Sequence, residues 1–271
     1  MFIRDKVAVV TGGASGIGEA VGLELARRGA AGVALVDRSE RVCAVAEAID
    51  ADAGRPVARA FVGDVTAAAF RKAVFDAVEA AMGAPRICVP AAGIIRDALA
   101  VKVDKLTGQT DIYPEATFDE VLGVNLVAPT YWALEMMARI VADRKRKGLG
   151  RWEPSEDIQG SVVFIGSVSA QGNKGQISYA ASKAGLAGVA ATLDHEAIFH
   201  GVRCAVIHPG YTDTPMVRGL GEELIAKHIL PNTLLRRLIR PAEIADAICF
   251  LASNPAVSGQ LWADAGWHAP A

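Results

Sequence analysis

Hydrophobic residues along the 271-residue chain fall into short continuous runs that alternate with longer amphipathic stretches. The short runs are rich in Val, Ile and Ala, which is typical of strands buried on both faces of a sheet. They predict these strands: Lys6–Thr11, Gly32–Asp37, Pro56–Val62, Arg86–Ala91, Ser161–Ser167, Gly201–His208 and Gln260–Ala263. The amphipathic stretches predict these helices: Gly18–Arg28, Ser39–Asp52, Thr66–Met82, Thr117–Arg144, Tyr179–His200 and Pro241–Ala252. This alternation favours βαβ units, and therefore an α/β fold with one parallel sheet of about seven strands and helices on both of its faces.

Three segments lie outside this alternation. Two are turn-rich insertions near residues 97–116 and 148–160, and the third, residues 214–240, is irregularly helical. We expect residues 214–240 to be mobile and to form a lid over a substrate. No linker rich in Pro, Gly or Ser and no internal repeat divides the chain. Although the length allows one domain or two, we therefore expect residues 1–271 to form a single domain.

Composition indicates a large buried core and gives little sign of a macromolecular partner. Apolar residues make up 52% of the chain, yet no apolar run approaches the roughly 20 residues of a membrane span. The net charge is −2, from 28 Lys and Arg against 30 Asp and Glu, so we expect neither nucleic acid nor membrane binding. The one basic run, Arg144–Lys147, is interpreted as a solvated helix end. The N-terminus runs directly into the first strand and leaves no room for a signal peptide, which favours a cytoplasmic protein.

The four cysteines and five histidines do not show metal-ligand spacing. Cys88 and Cys204 fall in apolar runs, which favours reduced, buried thiols. His208 precedes Pro209 and is interpreted as a packed residue at a strand end. We therefore expect no metal site, and a small molecule as the binding partner.

The glycine-rich sequence Thr11-Gly12-Gly13-Ala14-Ser15-Gly16-Ile17-Gly18 lies between the first strand and the first helix. This is the context that a dinucleotide-binding fingerprint requires. Gly12 permits a sharp turn, Gly16 leaves space for a pyrophosphate, and Gly18 permits close packing of helix and strand. The amide groups at the helix N-terminus would receive the anion. A glycine cluster alone also fits an ordinary turn, so the assignment depends on the residues that follow.

Asp37 ends the second strand and lies nineteen positions after Gly18. A carboxylate there can accept both hydroxyls of an adenosine ribose and repel a 2′-phosphate, which favours NAD over NADP. Arg38 is a reservation, because its guanidinium could bind that phosphate, although it could also face solvent or stack on adenine. Asp64, after the third strand, either accepts a hydrogen bond from the adenine amino group or caps the helix that begins near Thr66.

Tyr179 and Lys183 are four positions apart and therefore share one face of a helix. A tyrosine is a poor base at neutral pH, and we expect the lysine ammonium, together with an oxidised nicotinamide, to lower its pKa. Taken alone, such a pair is more often a surface contact. Here Ser167 ends a strand twelve positions earlier, which brings a hydroxyl to the sheet edge where open α/β proteins bind ligands.

Together these motifs resemble the classical short-chain dehydrogenase/reductase family, and the resemblance extends from Lys6 to about Gly266. It implies a Rossmann-type doubly wound sheet and a hydride transfer between a nicotinamide and an alcohol or ketone. Tyr179 would be the general acid and base, Ser167 would bind the substrate oxygen, and Lys183 would bind the nicotinamide ribose. Asn125 matches the asparagine that completes a proton relay through water in the family. Its other interpretation is a polar residue that bends or caps the long helix.

The resemblance also assigns the residues that would bind the cofactor. Pro209-Gly210-Tyr211-Thr212-Asp213-Thr214 is similar to the family's PG-x-V-x-T segment, with Thr212 in place of a frequent valine. The expected cofactor-binding residues are Gly12, Ser15, Gly16, Ile17, Gly18, Asp37, Arg38, Asp64, Val65, Ala92, Gly93, Tyr179, Lys183, Pro209, Gly210, Thr212 and Thr214. Pro90-Ala91-Ala92-Gly93 departs from the usual NNAG, so we expect weaker local hydrogen bonding, and Pro90 predicts an irregular strand end. Ser169 is a rival of Ser167.

The substrate is less constrained. The insertion near 97–116 and the segment Gly172–Gln176 are similar to segments of 3-hydroxyacyl-CoA dehydrogenases and 3-oxoacyl-carrier-protein reductases in this family, which suggests 3-hydroxyacyl or 3-oxoacyl thioesters. A sugar, steroid or aromatic secondary alcohol is the alternative, and a regulator that senses NAD without turnover is a second one. Apolar residues at Met216–Leu224 either line the pocket or only pack the lid. The resemblance further implies a homotetramer, or a dimer, that forms through the helices Thr117–Arg144 and Tyr179–His200.

Overall fold

The computed structural model describes residues 1–267 and shows a parallel sheet of seven strands in the order β3-β2-β1-β4-β7-β8-β9. The strands, including those of a separate hairpin formed by β5 and β6, are β1 Val7–Thr11, β2 Gly32–Asp37, β3 Ala58–Val62, β4 Pro85–Pro90, β5 Val101–Val103, β6 Thr110–Ile112, β7 Gly160–Ile165, β8 Val202–Pro209 and β9 Gly259–Ala263. The prediction of an α/β fold with one doubly wound parallel sheet is confirmed.

Helices cover both faces of this sheet. They are α1 Gly16–Arg27, α2 Arg41–Ala53, α3 Ala68–Met82, α4 Glu115–Leu122, α5 Ala128–Arg146, α6 Ile177–Ala197, α7 Pro215–Arg218, α8 Glu222–Leu224 and α9 Pro241–Ser253. Successive side chains of a strand point to opposite faces, so Ala8 and Val10 pack toward α1, α2 and α9, whereas Val7 and Val9 pack toward α3, α5 and α6. The continuous apolar runs in the sequence reflect this two-sided burial.

The first helix, α1, and the last helix, α9, pack side by side on one face of the sheet. Leu25 of α1 and Ile244 and Ile248 of α9 belong to the same buried cluster. The α-ammonium of Met1 donates a hydrogen bond to the Ser253 carbonyl oxygen at 3.2 Å. Residues near the two ends of the chain therefore complete one side of the core together.

Strands β4 and β7 separate toward their carboxyl ends. Their register includes only Ile87 opposite Ser161 and Cys88 opposite Val162. Pro90 ends β4 and has no backbone N–H to donate, so it cannot extend the ladder. The predicted irregular strand end is found only on the side of β7, because β4 stays in register with β1 as far as Pro90. The separation leaves the loop after Pro90 free to turn toward α6.

The insertion after β4 contains a β-hairpin that the sequence analysis did not predict. Antiparallel β5 and β6 pair Val101 with Ile112, and the Asp104 carboxylate accepts the backbone N–H groups of Leu106 and Thr107 in the connecting turn. The base of the hairpin is fixed to the start of α6, where the Tyr113 hydroxyl lies 2.9 Å from the Ser178 hydroxyl. The insertion is thus an ordered arm beside Tyr179.

The predicted helix Thr117–Arg144 is not one regular helix. It begins earlier, at Glu115, and a π-helical turn over Gly123–Val127 separates α4 from α5. A π-turn inserts one extra residue into the helical spacing and often occurs at functional sites. Here it contains Asn125, whose side chain is buried.

The interpretation of Arg144–Lys147 as a solvated helix end is wrong for Arg144. This guanidinium is buried and forms two hydrogen bonds to the Glu156 carboxylate, at 2.6 and 2.9 Å. It also donates to the Gly150 carbonyl oxygen at 3.0 Å. Arg144 therefore ties the insertion near 148–160 to the end of α5. Lys147, in contrast, is exposed and pairs with Asp143.

The segment 214–240 forms a small apolar cluster of its own. Ile225, Ile229 and Leu238 are buried in it, and Tyr211, Val217, Leu220 and Leu230 pack against them. Met216 and Leu224 are exposed. The apolar residues of Met216–Leu224 were expected either to line the substrate pocket or only to pack within the segment. Val217 and Leu220 pack within it. Within residues 1–267, none of the helices combines the length and the apolar character that crossing a bilayer requires.

Candidate active site

The glycine-rich loop between β1 and α1 is shaped by close backbone approaches. Gly12 has a φ of 70°, and a Cβ there would lie 2.7 Å from the backbone nitrogen of Ala92. Gly16 has a φ of 58°, and a Cβ there would lie 2.9 Å from a methyl carbon of Thr214. A methyl group at Gly18 would collide with the carbonyl oxygen of Gly12. Only glycine satisfies all three positions, because lack of space excludes a side chain at each of them and the positive φ disfavours one at Gly12 and Gly16 as well.

The N-terminus of α1 faces a cleft of about 710 Å³. Ser15 is the N-cap residue, and its side chain does not form a capping hydrogen bond within the described chain. The first N–H groups of this twelve-residue helix therefore point toward the cleft, where the positive end of the helix dipole favours an anion. These features fit the phosphates of a dinucleotide. The cleft lining also includes Asp37, Ser39, Arg41, Asp213 and Pro241.

Asp37 lies at the carboxyl end of β2, as predicted, and faces the glycine-rich loop. Its carboxylate accepts the backbone N–H of Ala14 at 3.1 Å and that of Ser39 at 3.0 Å. These two bonds fix the carboxylate while leaving acceptor positions for further donors. Arg38, in contrast, is exposed and does not line the cleft.

Asp64 and Val65 follow β3 at the same edge of the sheet. The Asp64 carboxylate accepts the backbone N–H and the hydroxyl of Thr66, both at 2.8 Å, and so stabilises the turn before the helix; it does not cap the helix, whose N-cap is Ala67. The helix itself begins later than predicted, at Ala68. Val65 is buried, and its carbonyl oxygen accepts the indole N–H of Trp132 at 2.9 Å.

The loop after β4 is held by Thr11 and Asn125. Ala92 donates its backbone N–H to the Thr11 hydroxyl at 3.1 Å, which connects this loop to the glycine-rich turn. Asn125 accepts the N–H of Ile94 at 2.9 Å and donates to the Ile94 carbonyl oxygen at 2.8 Å. The backbone of this loop is thus held by the side chains of Thr11 and Asn125. Sequence analysis missed Thr11, although it begins the recognised motif.

Ser167, Tyr179 and Lys183 converge at the carboxyl end of β7. Lys183 is buried, and its Nζ donates to the carbonyl oxygen of Ile165 at 2.8 Å while lying 5.6 Å from the centre of the Tyr179 ring. Asn125 is connected to the same group, because its Nδ2 donates to the Ser182 hydroxyl at 3.3 Å. The side chain of Ser167 is hydrogen-bonded to the Tyr179 phenol, whereas Ser169 is connected to this group through its backbone N–H, which donates to Ser167 Oγ at 3.1 Å. Ser167 is therefore the better placed of the two serines.

Burial dominates the pKa values of this group. Burial raises the pKa of Tyr179 to about 12, and the nearby Ser167 side chain opposes this by hydrogen bonding, while Asp97 raises the pKa further. Burial lowers the pKa of Lys183 to about 8. The protein's own groups thus favour a neutral phenol. Among the described residues, Ser167 is the group that lowers the pKa of Tyr179, and the expected lowering by Lys183 is not found. Asp97, in the insertion, was not among the predicted residues near the phenol.

The segment after β8 crosses above the glycine-rich loop. Gly210 donates its N–H to the Ala263 carbonyl oxygen at 3.0 Å, and a Cβ at Gly210 would lie 2.7 Å from the carbonyl oxygen of Asp264. Thr212 is buried and bridges to Ile239. Thr214 caps α7 by accepting the N–H of Val217, and its methyl group contacts Gly16. The predicted nicotinamide end and phosphate end of the site are therefore adjacent.

His208 is a packed residue, as interpreted from the sequence. Its ring stacks on Trp262 with centroids 4.2 Å apart, and its Nε2 lies 2.8 Å from Oε1 of Gln260. Burial lowers its pKa. The ring nitrogen Nδ1 contacts the backbone of Ser167, so His208 supports the strand end that carries the serine.

A doubly wound parallel sheet with a glycine-rich first crossover, and with Ser, Tyr and Lys side chains at the same edge, is the arrangement of Rossmann-type oxidoreductases. A family model described as short chain dehydrogenase matches residues 6–224. The chain belongs to the short-chain dehydrogenase/reductase family, and the resemblance inferred from the motifs is confirmed.

Curated relatives match nearly the whole chain. The (3R)-3-hydroxyacyl-CoA dehydrogenase of Homo sapiens is 31% identical over 259 residues, which cover 93% of this chain and 90% of that protein. An acetoacetyl-CoA reductase of Rhizobium meliloti is 33% identical over 254 residues, covering 93% and 92%. A 3-oxoacyl-[acyl-carrier-protein] reductase of Pseudomonas aeruginosa is 33% identical over 257 residues, covering 94% and 93%.

Proposed function

We propose that this oxidoreductase interconverts a 3-hydroxyacyl thioester and the corresponding 3-oxoacyl thioester with NAD as the cofactor. The observation that carries the reaction type is the convergence of Ser167, Tyr179 and Lys183 beside the glycine-rich loop. The printed names of the relatives carry the substrate class, because all three describe 3-oxygenated acyl thioesters. The cleft at the N-terminus of α1 fits the dinucleotide.

In this proposal each side chain has a separate task. When bound, a nicotinamide supplies or accepts the hydride. Tyr179 moves the proton to or from the substrate oxygen, and Ser167 donates a hydrogen bond to that oxygen. Lys183 is held by the Ile165 carbonyl oxygen and presents its remaining N–H groups to the nicotinamide ribose. A positive charge arriving beside the phenol opposes the burial that raises its pKa, which brings the proton transfer closer to neutral pH.

Asn125 is a positioning residue in this scheme. Its side-chain amide is occupied by both backbone groups of Ile94 and by Ser182. The side chain therefore fixes the loop after β4 against α6. The water relay implied by the family resemblance remains a prediction, because the amide contacts described here are structural.

The preference for NAD is based on Asp37. Its carboxylate is fixed by Ala14 and Ser39 and faces the cleft with acceptor positions to spare. Ribose hydroxyls are the donors that such an acceptor prefers, and a 2′-phosphate would be repelled. Arg38 is exposed and is not one of the residues that line the cleft.

The test is turnover followed by nicotinamide absorbance at 340 nm, the ordinary wavelength for the reduced ring, with acetoacetyl-CoA and 3-hydroxybutyryl-CoA as substrates. A panel of sugar, steroid and aromatic secondary alcohols covers the alternative. Tyr179→Phe is expected to reduce turnover by at least roughly 100-fold while retaining NAD binding. The matched control is Tyr131→Phe, an exposed tyrosine of α5, which should retain full activity. Equal turnover of Tyr179→Phe and wild type would refute the mechanism, and NAD binding without turnover of any substrate would favour a sensor.

Three further expectations from the sequence remain proposals. We propose a homotetramer that forms through the π-helical turn with α5 and through α6, where Val127 and Ile177 expose apolar surface. Sedimentation of a monomer at micromolar concentration would contradict it. We also propose that the whole chain acts as one domain and that the protein is cytoplasmic.

A further inference from the structure

A second carboxylate lies in the same cleft as Asp37. Glu19 is in the first turn of α1, and its carboxylate is 3.1 Å from the Arg41 guanidinium of α2. Both residues line the cleft together with Ser15, Asp37 and Ser39. Arg41 also donates through Nη1 to the carbonyl oxygen of Ala14. The ion pair therefore forms a strap across the glycine-rich loop.

The strap and Asp37 act on the two sides of one residue. Asp37 accepts the N–H of Ala14, whereas Arg41 donates to the carbonyl oxygen of Ala14. The Arg41 guanidinium and the Asp37 carboxylate, which would bind the adenosine ribose, thus contact the same residue. Arg41 lines the cleft beside Asp37, whereas Arg38 does not. Without Glu19, Arg41 would be a suitable phosphate ligand.

We propose that Glu19 determines cofactor specificity by holding Arg41 in the strap, so that the guanidinium is neutralised and cannot bind the 2′-phosphate of NADP. This inference rests on the proposed NAD-dependent function. Asp37 rejects the phosphate directly, and Glu19 withholds the cation that would otherwise compensate for Asp37.

The experiment measures nucleotide binding by isothermal titration calorimetry, with NAD⁺, NADP⁺, 5′-AMP and 2′,5′-ADP as separate ligands. Glu19→Gln preserves the size of the side chain and removes its charge. We expect the Kd for NADP⁺ and 2′,5′-ADP to fall by about fivefold, while those for NAD⁺ and 5′-AMP change by less than about twofold. An exposed charge contact gives an effect of this size. In the double variant Glu19→Gln/Arg41→Gln, the Kd values for NADP⁺ and 2′,5′-ADP should return to those of the wild type.

Asp52→Asn is the matched control, because Asp52 and Arg27 form another ion pair between α2 and α1 at the opposite end of the helices. Asp52 does not line the cleft, so this variant should leave all four affinities unchanged. An unchanged NADP⁺ affinity in Glu19→Gln, or a gain that persists in the double variant, would overturn the role of the strap while leaving the proposed function intact. Failure of wild type to bind any of the four ligands would overturn both, and a wild-type preference for NADP⁺ would overturn the specificity assignment.

Discussion

Replacing Asn125 by alanine should destabilise the protein by about 2–4 kcal/mol, because the amide satisfies two backbone groups of the half-buried Ile94 that have no other hydrogen-bond partner among residues 1–267. The side chain is buried and bonds both the N–H and the carbonyl oxygen of Ile94, at 2.9 and 2.8 Å. Leaving a buried donor or acceptor unpaired costs roughly 1–3 kcal/mol for each group. The third bond, to Ser182 at 3.3 Å, adds little, since that hydroxyl also donates to the Tyr179 carbonyl oxygen at 2.7 Å.

The assay is urea unfolding at neutral pH and one fixed protein concentration, followed by far-ultraviolet circular dichroism and by fluorescence of the four tryptophans. Coincident transitions of the two signals support a free energy of unfolding from a two-state analysis. Asn232→Ala is the control, because Asn232 is exposed and donates only to the His228 carbonyl oxygen. We expect the control to change stability by less than about 0.5 kcal/mol.

A loss below about 0.5 kcal/mol in Asn125→Ala would refute the reasoning, because it would show that the Ile94 backbone groups find other partners or water. A large loss of turnover with unchanged stability would instead favour the relay role implied by the family. The stability measurement and the turnover measurement together thus separate the two interpretations of this residue.

Three other predictions concern a charge pair, a glycine and a buried lysine. Arg144 lowers the pKa of Glu156 to about 2, below its ordinary value of 4.5, so the pair stabilises the folded state above pH 4.5 and this stability disappears as the pH falls toward 2. Glu156→Gln should therefore be less stable than wild type in urea at pH 7 and equal to it near pH 2, and a constant difference would contradict the pairing. Gly18→Ala should lower the free energy of unfolding by about 1–3 kcal/mol and weaken NAD⁺ binding, because the new methyl group displaces the Gly12 carbonyl oxygen. Gly150→Ala is the control, because a methyl group there meets open space and should change neither quantity. Equal NAD⁺ affinities of the two variants would contradict the close approach at Gly18. Burial lowers the pKa of Lys183 to about 8 from 10.5, so between pH 8 and pH 10 the unfolded chain binds a proton that the folded protein does not. The wild type should therefore gain stability relative to Lys183→Met as the pH rises from 8 to 10. A difference in urea midpoints that does not change with pH would rule this out.

Sequence reasoning predicted the sheet and the glycine-rich loop because both depend on local signals. Runs such as Gly32–Asp37 are buried on both faces and are therefore continuously apolar in the sequence. Gly12 and Gly16 have positive φ, which favours glycine, so the turn is also visible in the sequence. Tyr179 and Lys183 are similarly linked by helical spacing, and the structure places both beside Ser167.

The features that the sequence did not predict depend on partners far along the chain. Arg144 was interpreted as solvated because its partner Glu156 lies in an irregular loop without periodicity. The strap between Glu19 and Arg41 connects two helices, and no pattern within either helix reveals it. The hairpin was missed because β5 and β6 have three residues each, which is too short for alternation to be recognised.

The packing of α1 against α9 has a consequence for biosynthesis. The apolar residues of α1, such as Leu25, share a core with Ile244 and Ile248, which are translated much later. At about 5–20 residues per second, a ribosome needs roughly 10–45 s to synthesise the chain between the two helices. During that interval one side of the nascent sheet is exposed to solvent or to chaperones. A transcript truncated before residue 241 would therefore yield a product that aggregates rather than a smaller working enzyme.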